Sequence, residues 1–265
     1  MKLKMLGTGH AIVTECYNTC FVVCDNDRYF LVDGGGGSEI LHRLKLADIN
    51  VNDIHEMFVT HKHIDHIMGM IWLIRVICTG MKKGTYKGDA NIYAHEEVIS
   101  LLDDMAHKLL QPKETAFIGD RLHLVTVTDG ETRNIIGRDV TFFDIHSTKA
   151  KQFGFCMDIG GEKLTCCGDE PYNECEREYA ENSKWLLHEA FCLYSQADVF
   201  SPYEKHHSTV KDACELAEKL NIPNLVLYHT EDKNIERRRE LYTAEGKQYY
   251  SGRLYVPDDL DEIEI

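Results

Sequence analysis

The order of elements predicts an α/β fold, a four-layer αββα sandwich of two mixed β-sheets with helices outside. Three observations carry that prediction. Two similar halves each begin with strands and continue as strand–helix units. Polar, chemistry-bearing residues repeatedly stand just beyond short apolar runs, where α/β proteins place their sites. No Pro/Ser-rich linker separates the halves, so residues 1–265 read as a single domain.

Residues 2–6 alternate lysine with apolar side chains and open the chain as a strand. Gly7-Thr8-Gly9-His10 follows as a tight loop. Residues 19–24 and 29–33 read as a hairpin turning on Asp25-Asn26-Asp27. Asp33 ends the second strand, and Gly34-Gly35-Gly36-Gly37-Ser38 leads into a helix at 38–46. A glycine loop before a helix suits an anion, but this run is neither GxGxxG nor a P-loop, so backbone crowding explains it better. Residues 51–54 form a turn, 57–59 a strand, 60–66 a loop and 67–78 a buried helix. Residues 82–89 read as an exposed connection and 91–94 as a strand. Helical spacing over 95–110 puts His95 and His107 at surface or cap positions, and 111–120 reads as a loop. Strands follow at 121–128, 139–145, 153–159 and 163–167. After a short charged helix at 173–182 come a strand at 185–188, a helix at 209–220 capped by Ser208, a strand at 224–228 and a helix at 233–245. The acidic segment 258–264 reads as a solvated end.

Composition is that of a globular protein, 43% hydrophobic and 28% charged, with a formal net charge of −15. That charge disfavours non-specific binding to a phosphate backbone, which needs Lys/Arg surfaces. The ten cysteines form no CxxC pair. Most read as reduced core residues, although Cys16, Cys20 and Cys24 are spaced to share one strand face. The N-terminus has no apolar signal region, and no long apolar run marks a membrane span. The expected setting is cytoplasmic.

The chemistry centres on Thr60-His61-Lys62-His63-Ile64-Asp65-His66. His61 and His63, two apart in extended chain, point to one side, and Asp65 and His66 turn toward a second position. One loop can thereby serve two metal ions. His146, Asp169, His188-Glu189 and His229 each end or follow an apolar strand downstream. Asp33 can hydrogen-bond a ligating histidine.

The HxHxDH motif, with separate later His, Asp and His residues, resembles the metallo-β-lactamase superfamily. Within it, Leu6-Gly7-Thr8-Gly9, His188-Glu189-Ala190-Phe191 and His207-Ser208-Thr209 are similar to the opening loop, HEAT-like motif and HST motif of the ribonuclease Z group. The resemblance implies a metallo-β-lactamase-like αββα fold and a dinuclear hydrolase. His61, His63 and His146 would hold one ion, Asp65, His66 and His229 the other, with Asp169 bridging. Imidazole and carboxylate ligands suit two Zn²⁺, with Mn²⁺ or iron as alternatives. Ions roughly 3.5–4 Å apart can share a hydroxide that attacks phosphorus in line. By the same resemblance His207 protonates the leaving oxygen; Glu189 would orient it. Asp65, His207 and Glu189 are thus the catalytic candidates. A homodimer is also implied.

The chain departs from the group at Gly34–Ser38, where a GEGTQ-like run is usual, and at Gly154-Phe155-Cys156, which lacks an arginine. It has His229-Thr230-Glu231 in place of a His-Phe-Ser form, and no long basic insertion of the kind that grips tRNA. Phosphodiester hydrolysis is therefore the leading expectation, on a tRNA 3′ end, other RNA or a smaller phosphodiester. The alternatives are a lactone, thioester or β-lactam hydrolase, and a non-hydrolytic redox or metal-sensing protein.

Overall fold

The structure, a computed structural model, describes all 265 residues. The expected pair of mixed sheets is present, seven strands in each, and the chain divides into two compact units. The first comprises Met1–Gly7, Tyr17–Thr128 and Asp259–Ile265; the second comprises Thr8–Cys16 and Asp129–Asp258.

In the first unit β1 (Lys2–Gly7) buries Leu3 and Met5 and turns Lys2 and Lys4 outward. It pairs antiparallel with β2 (Cys20–Asp25), which pairs antiparallel with β3 (Arg28–Val32). β4 (Glu56–Phe58), β5 (Ala90–Ala94) and β6 (Leu122–Thr126) then run parallel to β3. The crossovers are α1 (Glu39–Leu46), α2 (Ile64–Lys83), and α3 (Glu96–Leu109) with the short α4 (Pro112–Thr115). That short helix occupies part of the expected 111–120 loop.

α2 starts three residues earlier than the apolar run suggests. His63, in extended conformation, is its N-cap, and the His63 carbonyl accepts the amides of His66 and Ile67. Asp65 and His66 therefore lie on the first helical turn rather than on the loop, where a carboxylate also complements the helix dipole. The helix is long and apolar enough to cross a bilayer, but Ile67, Met70, Ile71, Ile74, Ile77 and Cys78 are buried in the core of this unit. Each such aliphatic side chain contributes about 1.5–3 kcal/mol by burial.

The glycine run is explained by close approach. The Gly34 amide bonds the His66 carbonyl at 2.8 Å and the Gly69 amide bonds the Gly35 carbonyl at 2.9 Å. A Cβ on Gly69 would lie 1.8 Å from the Gly34 oxygen. Crowding accounts for Gly34, Gly35 and Gly36, whereas a Cβ on Gly37 would meet open space.

In the second unit β7 (Thr132–Ile135), β8 (Arg138–Asp144), β9 (Phe153–Asp158) and β10 (Lys163–Cys166) are antiparallel. β11 (Trp185–Glu189), β12 (Asn224–Tyr228) and β13 (Arg253–Tyr255) continue parallel to β10. The helices are α5 (Arg177–Ala180), α6 (Ala197–Phe200), α7 (Val210–Lys219) and α8 (Arg238–Gly246). Val210, Ala213, Cys214 and Ala217 of α7 join Leu186, Leu225 and Tyr242 in its core.

Three further features differ from expectation. Thr209, not Ser208, caps α7: its hydroxyl accepts the Asp212 amide, and Asp212 returns a bond to the Thr209 amide. A 3₁₀ turn at Ile235–Arg237 delays the last helix to Arg238. The acidic end is not simply solvated. Glu262–Glu264 forms β14 against β1, with Lys2 and Lys4 meeting Glu262 and with Ile263 buried. All ten cysteines are free thiols.

Candidate metal centre

In the first unit, parallel pairing puts the C-terminal ends of β3 and β4 side by side, and with them Asp33 and the Thr60–His66 segment. Asp33 is buried and accepts three hydrogen bonds. Thr60 donates its amide to Oδ1 at 2.8 Å and its hydroxyl to Oδ2 at 2.8 Å; His66 Nδ1 meets Oδ2 at 2.7 Å. A carboxylate accepts only, so His66 carries its proton on Nδ1 and its lone pair on Nε2. Thr60 Oγ1, having given its proton to Asp33, must accept from His61 Nδ1, 2.9 Å away. His61 thus also presents a lone pair at Nε2. Asp33 sets both tautomers, one directly and one through Thr60.

That Nε2 of His61 stands 2.7 Å from His63 Nδ1, and His66 Nε2 stands 3.3 Å from Asp65 Oδ2. His61 and His66 rings lie 4.2 Å apart between centroids. Two imidazole nitrogens and an imidazole–carboxylate pair converge, largely buried, in one short segment. This donor set fits divalent ions.

In the second unit β8 and β10 run in the same direction, because both are antiparallel to β9, and β11 and β12 continue that direction. The ends that carry His146, Asp169, Glu189 and His229 therefore share one sheet edge. His229 Nε2 lies 3.3 Å from Asp169 Oδ2. Ligand atoms of Glu189, His207 and His229 all lie within 4.8 Å of one another. His146 is exposed on its loop and is not part of that group.

Glu189 accepts the Ser208 amide through Oε1 and points Oε2 at His207 Nδ1, 3.5 Å away. Neither of those two buried atoms has a hydrogen-bond partner, so each is the other's natural counterpart. Burial raises the Glu189 carboxyl to about 8. Burial also lowers His207, opposed by the Asp169 carboxylate. The His207 ring stacks on Phe191 at 5.0 Å and 12°. His188 is fully buried, bonding the Glu189 carbonyl through Nδ1, which is a structural placement. His206 is exposed and meets Thr148 Oγ1 at 3.2 Å.

Sequence reasoning passed over Thr60, Phe191 and Gln152. Phe191 was within the HEAT-like stretch, and Thr60 opened the histidine segment. Gln152 carries no local signal: it sits in a lysine-rich loop, yet it is buried and donates to Asp169 Oδ1 at 2.7 Å.

The family model described as Anti-Pycsar protein Apyc1 matches residues 1–248. The Ribonuclease Z of Staphylococcus carnosus is 24% identical over 313 aligned positions, covering 100% of both chains. Among solved structures, the metallo-β-lactamase fold protein YhfI from Bacillus subtilis is similar with a TM-score of 0.79 at 17% identity, over 99% of this chain and 98% of that one. Human tRNase Z, short form, gives 0.75 at 18%, over 100% and 99%. These likenesses show the metallo-β-lactamase fold over the whole chain.

Proposed function

The chain belongs to the family described as Anti-Pycsar protein Apyc1, and from that premise we propose a metal-dependent phosphodiesterase acting on a small, nucleotide-sized phosphodiester. In this reading His61, His63 and His146 would hold one divalent ion and Asp65, His66 and His229 a second, with Asp169 available to both. Zinc is the first choice for this imidazole and carboxylate set. The observation that carries the reading is the paired tautomer control by Asp33, which turns the Nε2 lone pairs of His61 and His66 outward from their anchors. Bound ions would supply a nucleophilic hydroxide at neutral pH and positive charge for the phosphoryl oxygens.

The remaining work falls to this chain's side chains. Glu189 and His207 share a proton between Oε2 and Nδ1, and His207 delivers one to the leaving oxygen. The Phe191 ring keeps the imidazole plane fixed. Asp65 lies on the first turn of α2, where its carboxylate complements the helix dipole.

Charge and length favour a small substrate. At −15 the chain is poorly suited to a long polyanion. The alignment with the staphylococcal relative spreads 265 residues over 313 positions, so that relative has stretches with no counterpart here. Cleavage at a tRNA 3′ end is the second reading, supported by the ribonuclease Z relatives. The ten unbridged cysteines support a reducing, cytoplasmic setting.

The test is a panel on zinc-loaded protein: a nucleoside cyclic phosphate, bis-p-nitrophenyl phosphate, a tRNA precursor and a lactone. Turnover of the two small phosphodiesters is expected. Turnover of the tRNA precursor alone overturns the substrate, and of the lactone alone the reaction. In His207→Gln, kcat should fall by about 10²–10⁴ with bound zinc unchanged. Unchanged kcat would remove His207 as the proton donor.

A further inference from the structure

We propose that Gln152 is a positioning residue for Asp169, holding one carboxylate oxygen so that only the other faces the ligand side; this rests on the reading of Asp169 as a metal ligand. Gln152 is 1% exposed, and its Nε2 donates to Asp169 Oδ1 at 2.7 Å. The opposite oxygen, Oδ2, is the one 3.3 Å from His229 Nε2. An amide N–H on Oδ1 occupies one of its lone pairs and fixes the plane of the carboxylate, which turns Oδ2 toward the ligand side.

Two further features build this contact. Gly168, at φ +77°, has no Cβ, and one placed there would lie 2.5 Å from Gln152 Nε2. Tyr228 donates its hydroxyl to the Gly168 carbonyl, pinning the turn from below. The Gln152 carbonyl also accepts the Ile145 amide at 3.1 Å, closing the loop that carries His146. Gln152 therefore serves two proposed ligands, Asp169 through its side chain and His146 through its backbone. Side-chain substitutions separate the roles, because every variant keeps the carbonyl.

The experiment is zinc affinity, read by competition of the zinc-loaded protein with a chromogenic chelator, for wild type, Gln152→Met, Asp169→Asn and the double variant. Gln152→Met should weaken zinc binding by about 10–100-fold. In the Asp169→Asn background the same change should add no further loss, because the carboxylate oxygen that the contact positions has been replaced by NH₂. Wild-type affinity in Gln152→Met, or an equal loss in both backgrounds, overturns the inference. Wild-type affinity in Asp169→Asn overturns the ligand reading beneath it. If Gln152→Met does not fold, Gln152→Asn takes its place. Its amide falls one methylene short of Oδ1, so unchanged affinity there is equally fatal.

Discussion

Asp33→Asn tests whether one carboxylate governs two histidines. Asn tolerates the left-handed conformation of this position, φ +59°, so the backbone should hold. If the Asn oxygen keeps the Thr60 amide, its NH₂ replaces Oδ2, the atom that now accepts from the Thr60 hydroxyl and from His66 Nδ1. Both bonds invert. His66 must accept at Nδ1, which moves its proton to Nε2, facing Asp65 Oδ2 at 3.3 Å. Thr60 then accepts from the amide and donates to His61 Nδ1, which moves the His61 proton to Nε2 as well. Each proposed metal site loses a lone pair that is recovered only by breaking a hydrogen bond. At about 10–100-fold in affinity per orienting partner, this is about 1.4–2.8 kcal/mol per ion. Chelator competition on Asp33→Asn should show both zinc ions weakened, with the far-UV spectrum unchanged. Thr60→Val breaks only the relay to His61 and should weaken one ion. If Asp33→Asn holds both ions with wild-type affinity, the tautomer argument is wrong.

The remaining predictions concern stability. Gly69→Ala puts a Cβ 1.8 Å from the Gly34 oxygen, so it should cost about 1–3 kcal/mol or more and lower Tm by several degrees; an unchanged Tm would show that the glycine loop gives way freely. Glu176 is buried, and its carboxyl is pushed up to about 8 by burial. The folded chain then keeps a proton that the unfolded chain releases from about pH 4.5, so this group costs stability progressively as pH rises through that window. Glu176→Gln should therefore gain on wild type between pH 5 and 8, by a few kcal/mol at the upper end, read from denaturant unfolding. A difference that stays flat with pH would place the Glu176 pKa near its ordinary value.

The parts of the fold that were legible in the sequence have strong local signals. The hairpin of β2 and β3 has apolar runs around an Asp-Asn-Asp turn, and Asn26 adopts φ +57° there. What escaped detection is polar and short. β7 is Thr-Arg-Asn-Ile, exposed at its first three residues, and β13 and β14 are three-residue edge strands that carry Arg and Glu. Edge strands are kept charged against further pairing, and that charge erases the apolar pattern by which strands are recognised. The start of α2 escaped for the opposite reason. Its first turn is Ile-Asp-His, whose polar residues interrupt the apolar run although they are helical. The histidine segment and Asp33 were legible because residue type and short spacing suffice. Gln152 and Phe191 were not, because their partners lie 17 and 16 positions away and are brought close only by the sheet.

Three strand ends that carry proposed site residues share a left-handed backbone conformation. Asp33, His146 and His229 each follow a strand and each adopt the left-handed region, at φ +59°, +55° and +58°. Glycine would occupy that region without the cost of about 1–2 kcal/mol borne by a residue with a Cβ. All three positions nevertheless carry a polar side chain able to ligate or to orient a ligand. The surroundings enforce the conformation. The Asp33 amide bonds the Phe58 carbonyl, and the His146 amide bonds Asp144 Oδ1. After His229, the Thr230 amide bonds the Thr8 carbonyl, the Thr230 carbonyl accepts the His10 amide, and the Glu231 amide bonds the Phe191 carbonyl. A strand that simply continued would alternate its side chains between faces. The left-handed kink stops that alternation and re-aims the ring or carboxylate beyond the sheet edge. Conformations held in place by several bonds at three strand ends would pre-organise the proposed site's side chains before any ion binds.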